Sequence, residues 1–486
     1  MLEKFLNEFK LGNYKLAEKL TLNYLKNNNK DYKAYQLLGR IYKQKKLYKK
    51  SISNYKKSLA IKKDKKIFLE YGNLYLELND ITKALLIYKK LLLLDRHNAL
   101  AINNISYCYM LKNNYKNSKK YIKKAIKLDL NNEYLYFNLG NLNKRFGKLN
   151  SAISAYDKAI EINPNNVNFK YNKSYVLLKK KSYQEGWKIY DNRILAEYTD
   201  TKIYKLVKNN IYTGNKTPKN LNIIIIPEQG IGDHILFSSM YKEFIEINPN
   251  CKIIIDKRLK SIFKRSFNFS DFIYLSDLNK ISYYVKKKYL FIYAGSLGKF
   301  FRNKLSDFSG EPYLFSKKQL YNKYSDKISK DKNKIFIGIS WKSQSTSMQR
   351  KSFELKDFKK LFKIEKYCFI NLQYGNVTNE ISQFNKKRKN KLIDITNLDK
   401  FNDLDNLSAL ITSLDLVITV SNINTNLSSS LGIETWNISY DDNEHFFYSK
   451  SNKKNCEWHK KLKMFYVKNN INDTILNIFN ELKKRF

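Results

Sequence analysis

YLYFNLGNLNKRFGKLNSAISAYDKAIEINPNN, residues 134–166, is the stretch whose reading decides the fold of the first half of the chain. Small residues at Gly140, Ala152 and Ala159 let two helices approach closely, while Tyr136, Leu139 and Tyr156 fill the space between neighbouring pairs. The same pattern recurs on both sides. Gly39, Gly72, Ser106, Gly140 and Ser174 occupy equivalent places, 33, 34, 34 and 34 residues apart. A degenerate copy, FKLGNYKLAEKLTLNYLKNN at 9–28, starts the array. The last copy ends in GWKIYDNR at 186–193, where Gly186 takes the small-residue place and Trp187 adds a bulky anchor. Two readings of that end stand side by side: a cap that docks the array on the next domain, or simple decay of the repeat.

A helix-turn-helix unit of this length with these positions resembles the tetratricopeptide repeat. The resemblance implies an all-α solenoid over 1–194 that holds a protein partner along one face. By itself it implies no chemistry.

At 486 residues the chain is long enough for two to four domains, and 43% hydrophobic residues supply apolar surface for globular cores. Lys and Arg number 91 against 44 Asp and Glu, a formal net charge of +47. That balance favours acidic ligands and is compatible with peripheral contact to an anionic membrane. The competing explanation is compositional: a chain rich in Lys, Asn, Ile and Tyr is what AT-rich codons produce. The lysines are spread over every segment, no long basic arm occurs, and no nucleic-acid-binding motif is present, so no specific nucleic acid is expected. Cys108, Cys251, Cys368 and Cys456 lie far apart without metal-ligand or disulfide spacing. No signal peptide opens the chain and no apolar run approaches the roughly 20 residues of a membrane span, so a cytoplasmic location is expected.

From 195 to 220 the helical period fades through Thr213-Gly214-Asn215-Lys216-Thr217-Pro218, which reads as a linker. Beyond it, β-rich runs alternate with helical patterns. LNIIIIP at 221–227, KIIIDK at 252–257, FIYLSD at 272–277 and YLFIYAG at 289–295 form one series. IFIGISW at 335–341, CFINLQYG at 368–375, KLIDIT at 391–396, LVITV at 416–420 and TWNISY at 435–440 form another. The expected class is therefore α plus α/β: a solenoid followed by two Rossmann-like domains, 221–330 and 331–486, facing a cleft. The amphipathic helix at about 471–486 is expected to pack back on the first sheet.

In LNIIIIPEQGIGDHILFSSM, 221–240, a strand breaks at Pro227 into a loop presenting Glu228, Gln229, Gly230, Gly232, Asp233 and His234 before a helix. One reading is a plain βα turn with Asp233 as N-cap; the other is a ligand loop at the carboxyl end of a strand. Three more strands end in polar chemistry. Trp341, Lys342, Ser343 and Gln344, then Arg350 and Lys351, follow the first; Gln373, Tyr374 and Gly375 the second; Ser421, Asn422, Asn424, Thr425 and Asn426 the third. A hydroxyl- and amide-rich helix start with a nearby Lys342 or Arg350 suits a diphosphate.

PEQGIGDHILFSSM, GISWKS with RKSFEL, INLQYG, LDNLSALITSLDLVITVSN and NLSSSLGIETWNIS, with Trp458 and Phe465 matching a late aromatic motif, are similar in kind and order to the C-terminal half of bacterial tetratricopeptide-repeat proteins. In these, that half is a heptosyltransferase-like glycosyltransferase of the GT-B class. The resemblance implies inverting transfer from a nucleotide-sugar to a glycan or protein acceptor, with no metal or other cofactor required. It implies Asp233 as base, the rest of the 228–234 loop on the acceptor side, and Trp341, Lys342, Ser343, Gln373, Tyr374, Gly375 and the 421–426 residues around the nucleotide-sugar. Ser421 and Asn426 stand where family members commonly carry Asp and His, so a role needing an ionisable group is lost there. The alternative is accordingly a non-catalytic interaction scaffold with a degenerate transferase domain. His445 and His459 read as packing or surface residues and not as ligands, and Asp441-Asp442 is only a weak metal candidate.

Overall fold

The computed structural model describes residues 2–328, 333–343, 352–386, 388–440, 456–467 and 470–486. Gln344, Arg350, Lys351, Asp441, Asp442 and His445 lie outside the described residues. The chain divides into two compact units, Met1–Phe169 and Lys170–Phe486.

Among the described residues, the first unit holds ten complete helices: α1 (Leu2–Lys10), α2 (Tyr14–Asn27), α3 (Tyr32–Gln44), α4 (Tyr48–Ile61), α5 (Lys65–Glu77), α6 (Ile81–Leu94), α7 (Ala99–Leu111), α8 (Tyr115–Leu128), α9 (Glu133–Arg145) and α10 (Leu149–Ile162). Each packs on the helix before it and the helix after it, which is a solenoid. Local sequence sets the period. Asp31, Asp64, Asp80, Asn98, Asn114 and Asn132 accept the first free N–H groups of the helices they precede. Lys46, Asn79, Asn113 and Gly147 hold the tight turn inside each pair with φ between 55° and 68°. At the closest helix approach, a Cβ on Gly72 would come within 2.3 Å of the Tyr88 ring and one on Gly140 within 2.5 Å of Tyr156.

The second unit opens with α11 (Val167–Lys179), inside which the division falls, then α12 (Tyr183–Tyr190), a π-helical turn at Ile194–Tyr198 and α13 (Lys202–Val207). Here the structure differs from the expected linker at 195–220. Ile194, Tyr198 and Val207 are buried against one face of the first sheet, and Ile211 bridges to Phe291. That apolar face needs a cover, and the spacing of four between Ile194 and Tyr198 and between Ile203 and Val207 supplies one. The solenoid expected over 1–194 correspondingly ends as a compact unit at Phe169.

The first sheet is all parallel, in the order β3-β2-β1-β4: β1 (Ile223–Ile226), β2 (Lys252–Ile255), β3 (Phe272–Tyr274) and β4 (Leu290–Tyr293). All four isoleucines of β1 are buried, because both faces are covered. Ile224 and Ile226 face the 194–207 segment and α17 (Leu278–Lys286). Ile223 and Ile225 face a core with α14 (Ile231–Phe237), α15 (Tyr241–Ile247) and α16 (Lys260–Phe267). After β4 come α18 (Gly298–Phe301) and α19 (Lys318–Ile328).

The second sheet is also all parallel, in the order β10-β9-β8-β5-β6-β7: β5 (Ile335–Ile339), β6 (Tyr367–Asn371), β7 (Leu392–Ile393), β8 (Leu416–Val420), β9 (Thr435–Ser439) and β10 (Leu462–Tyr466). β10 adds a strand that the sequence reading did not contain; it pairs in parallel with β9 from Leu462 opposite Thr435. Helices α20 (Thr378–Asn385), α21 (Leu404–Thr412) and α22 (Ile423–Ser430) connect the strands. The final helix α23 (Ile471–Arg485) corrects a second expectation. Its apolar stripe of Ile475, Ile478 and Leu482 packs on the second sheet, not the first, in one core with Ile337, Trp436 and the Phe358-Leu361-Phe362 turn. The strand immediately before it is β10 of that sheet, so a short connection returns it to the nearest open face.

Candidate functional site

Parallel sheets collect ligands beyond the carboxyl ends of their strands, at the point where the strand order reverses. In the first sheet that point lies between β1 and β4, and in the second between β5 and β8. The loop 227–230 leaves β1 there, while Ser340–Ser343 and Ser421–Asn422 leave β5 and β8. The two places adjoin within the second unit: α14 packs against α22, and Asn426 Nδ2 donates to the Gly232 carbonyl at 2.8 Å.

Of the six candidates on the glycine loop, the structure separates those facing solvent from those facing the interior. Asp233 and Gln229 are exposed. The N-cap of α14 is Gly230 and not Asp233, which sits three residues further on. A Cβ at position 230 would approach Asp233 Oδ2 to 2.9 Å, so the glycine leaves room for that carboxylate over the start of the helix. Gln229 Nε2 donates to the Glu197 carbonyl at 3.0 Å.

Glu228, by contrast, is buried and bound from four directions. It accepts from Arg193 Nη2 at 2.7 Å, Arg193 Nε at 3.4 Å and Gly295 N at 2.7 Å, and from the Tyr198 hydroxyl. Arg193 is itself 1% exposed, pairs with Asp191 at 3.0 Å, and stacks its guanidinium 4.2 Å from the Tyr190 ring centre. Burial works against that charge, but the Glu228 carboxylate outweighs it and holds the Arg193 pKa above its ordinary value. Burial likewise pushes the Asp191 carboxyl up, yet Arg193 and Lys299 bring it below its usual range. The GWKIYDNR segment is thus the clamp for this loop: Trp187 is buried beside it and donates Nε1–H to the Arg302 carbonyl at 2.7 Å.

His234, expected on the loop, points into the core instead. It lies edge-on to Phe263 at 5.2 Å, and burial lowers its pKa to about 3, so the ring is neutral.

Around the second sheet the polar candidates form one network. The Gln373 carboxamide oxygen accepts from Trp341 N at 2.9 Å and Lys342 N at 2.8 Å, and its Nε2 donates to the Tyr374 carbonyl. Trp341 is buried, with Nε1 donating to Glu380 at 3.2 Å. Lys342 Nζ pairs with Glu380 at 2.6 Å. Burial raises the Glu380 carboxyl, but Lys342 and the Leu355 N–H outweigh that and leave it lowered. Asn422 caps α22 by accepting from Asn424 N, and its Nδ2 donates to Ser340 Oγ and the Lys342 carbonyl. Asn424 Nδ2 donates to Ser340 Oγ and the Leu372 carbonyl, while its buried Oδ1 accepts no hydrogen bond. Thr425 Oγ1 donates to the Val420 carbonyl and Asn437 Oδ1, and Ser421 Oγ accepts from Asn437 Nδ2. Ser343 N donates to Ser352 Oγ, and Gly375 makes the turn after β6 with φ of 87°. Trp341, Lys342, Gln373, Asn422 and Asn424 are therefore brought together by direct bonds or shared partners, and Ser343 follows Lys342 in the chain, bonded to Ser352. Asn426 joins the glycine loop. Tyr374 stands beside Phe401, with ring centres 5.9 Å apart.

Sequence reasoning missed Glu380, which stands in no motif, and Ser340, which lies inside GISWKS but was read as the end of the strand; both tie the network. It missed the role of Arg193, although GWKIYDNR was visible as a unit. Among the described residues no group of three or more His, Cys, Asp or Glu is arranged to hold a metal ion, and no helix is long and apolar enough to cross a membrane.

Residues 32–65, 66–98 and 99–132 match one family model described as Tetratricopeptide repeat, and residues 134–166 match a second with the same description. Protein FlbA of Caulobacter vibrioides is 22% identical over 284 residues, 53% of this chain and 45% of that protein, so the chain spans less than half of the relative's length. Solved structures similar to the chain include Pseudomonas aeruginosa pilF, 15% identical over 42% of this chain and 93% of that one with a TM-score of 0.35. A thermophilic tetratricopeptide-repeat protein of Thermus thermophilus is 21% identical over 36% of this chain and 97% of that one, with a TM-score of 0.31. Residues 32–132 and 134–166 are therefore tetratricopeptide repeats, and helices α3 to α10 are their four helix pairs.

Proposed function

We propose that the second unit is a glycosyltransferase that moves a sugar from a nucleotide-sugar to a glycan or protein acceptor, inverting and without a metal. The repeats serve as the platform for acceptor or partner, and the chain works in the cytoplasm, where its four cysteines stay reduced. The observation that carries this reading is the meeting of two strand-order switch points, joined by the Asn426 bond to Gly232. On it, the exposed Asp233 carboxylate takes the proton of the acceptor hydroxyl as that oxygen attacks the anomeric carbon. The bond from the sugar to the diphosphate breaks, and the leaving diphosphate keeps the electron pair. Its charge is met by the N–H groups at the start of α22 and by Lys342, which exchanges its Glu380 partner for phosphate.

A second reading, a non-catalytic scaffold, is favoured by one observation: Gln373, Asn422 and Lys342 already have protein partners. One experiment separates the two. The purified chain is screened for thermal stabilisation and nucleotide release against UDP-, GDP-, CDP- and dTDP-sugars. The transfer reading expects one class to bind and turn over, with Asp233→Asn losing about 10²- to 10⁴-fold in turnover while still binding nucleotide. Unchanged turnover in Asp233→Asn removes the base assignment, and no binding across the panel leaves the scaffold.

A further inference from the structure

A cavity of about 530 Å³ opens at the carboxyl edge of the first sheet and takes no lining residue from the second sheet. It lies on the far side of β1 from α14. Ile226 and Tyr293 belong to the sheet face covered by the 194–207 segment, whereas α14 covers the opposite face. Tyr198, Thr201 and Ile203 of that segment form one wall, and Leu275, Ser276 and Leu278 form the facing one. Glu228 and Gln229 line it, and Gly230-Ile231-Gly232 separate them from Asp233 in the chain, so the glycine loop is shared between this pocket and the switch point.

Its chemistry is mixed in a particular way. The floor is aromatic and aliphatic, with the Tyr198 and Tyr293 rings 4.8 Å apart. Its one carboxylate, Glu228, is already neutralised by Arg193, and Lys202 is its one cationic lining residue. Tyr293 Oη is buried next to the Thr201 side chain, and the Ser276 side chain stands exposed at the rim. Apolar ring faces with a few hydroxyl and amide groups at the edge suit a ligand that is itself apolar on its faces and hydroxylated at its rim. The volume falls within the range of about 300–1,000 Å³ usual for small-molecule sites.

We propose that this is a second ligand pocket, outside the meeting point of the two sheets, and that it binds one or two neutral sugar rings of a glycan. Choosing a sugar over another amphipathic ring rests on the transfer reading; the existence of the pocket does not. The test is saturation-transfer NMR on the full chain with methyl glucoside, methyl galactoside, N-acetylglucosamine and maltose, with UDP, GDP, CDP and dTDP as separate probes.

At least one sugar gives signals in the wild type. Ser276→Trp, a replacement at an exposed rim position, abolishes them without changing thermal unfolding. Tyr293→Phe keeps the aromatic floor and removes only a hydroxyl that does not face the cavity, so sugar binding stays within about twofold of the wild type. Neither variant changes nucleotide binding. Absence of any sugar signal in the wild type, or full signal in Ser276→Trp, overturns the proposal. Failure of the transfer reading shows separately, as nucleotides without effect.

Discussion

The pair of Arg193 and Glu228 is the place where one atom's worth of change should be felt most. Removing the guanidinium with Arg193→Met leaves a carboxylate, in a residue 7% exposed, that keeps only the Gly295 N–H and the Tyr198 hydroxyl as donors. An uncompensated buried charge of this kind costs about 3–5 kcal/mol. In a unit of this size, that is a fall of roughly 5–8 °C in Tm. Glu228→Gln costs less, about 1–3 kcal/mol, because Arg193 keeps Asp191 at 3.0 Å and the amide oxygen still accepts from Gly295 N. The double variant carries neither unpaired charge, so its loss is smaller than the two single losses added, by about 2 kcal/mol or more. The assay is built into the chain: all four tryptophans, Trp187, Trp341, Trp436 and Trp458, belong to the second unit, so their fluorescence follows its unfolding in urea alone. Strict additivity of the three variants, within about 0.5 kcal/mol, would refute the account of a coupled buried pair.

Two further outcomes rest on the same structure. Gly72→Ala drives a methyl group to within 2.3 Å of the Tyr88 ring and is expected to cost about 1–3 kcal/mol by circular dichroism of the repeats. Gly39→Ala, where the nearest Tyr55 atom is 3.0 Å away, costs less, and Tyr88→Ile added to Gly72→Ala recovers part of the loss; equal costs at both glycines would discard the packing argument. His234 and His459 are held neutral by burial, each with its pKa lowered to about 3 from 6.5. The unfolded chain therefore binds protons below pH 6.5 that the native chain refuses. Their stabilisation is complete above pH 6.5 and is lost as pH falls toward 3, at about 1.4 kcal/mol per pH unit for each ring. His459→Phe, which keeps the stack on Tyr313, should remove one ring's share from the slope of urea stability between pH 6.5 and 5; an unchanged slope would mean that His459 is not the group responsible.

What could be read from the sequence was whatever repeats or alternates. The 34-residue period fixes where each helix stops, because a cap and a turn residue recur with it. The isoleucine run of β1 marks a strand covered on both faces. Segment 194–212 was unreadable for a physical reason: its short helical pieces have no repeat to compare with, and their burial depends on a sheet face assembled later in the chain. β10 hides because Lys463 interrupts a short apolar run that shows no period of two, and four of its five residues are only half-buried even with β9 beside them. At the candidate site, sequence could place polar residues at strand ends but could not assign their partners. Glu228 and Gln229 are neighbours of like polarity, yet one is locked in a buried ion pair and the other is exposed.

That division of labour bears on how the loop would work. The glycine loop is held on one side by Arg193, on the other by Asn426, and from below by the apolar packing of His234 against Phe263. Three independent attachments on one short stretch remove most of its freedom, and the backbone entropy lost there, about 1–2 kcal/mol per residue, is offset by those contacts. What they leave facing outward, and ionisable, is Asp233. A carboxylate fixed in this way needs little reorganisation to accept a proton, the property that makes a base effective. If the loop were only a connection between β1 and α14, a type of turn requiring no buried arginine would serve. Restoring loop order should then restore nothing but stability, whereas the transfer reading expects Arg193→Met to lower turnover even at temperatures where the unit remains folded.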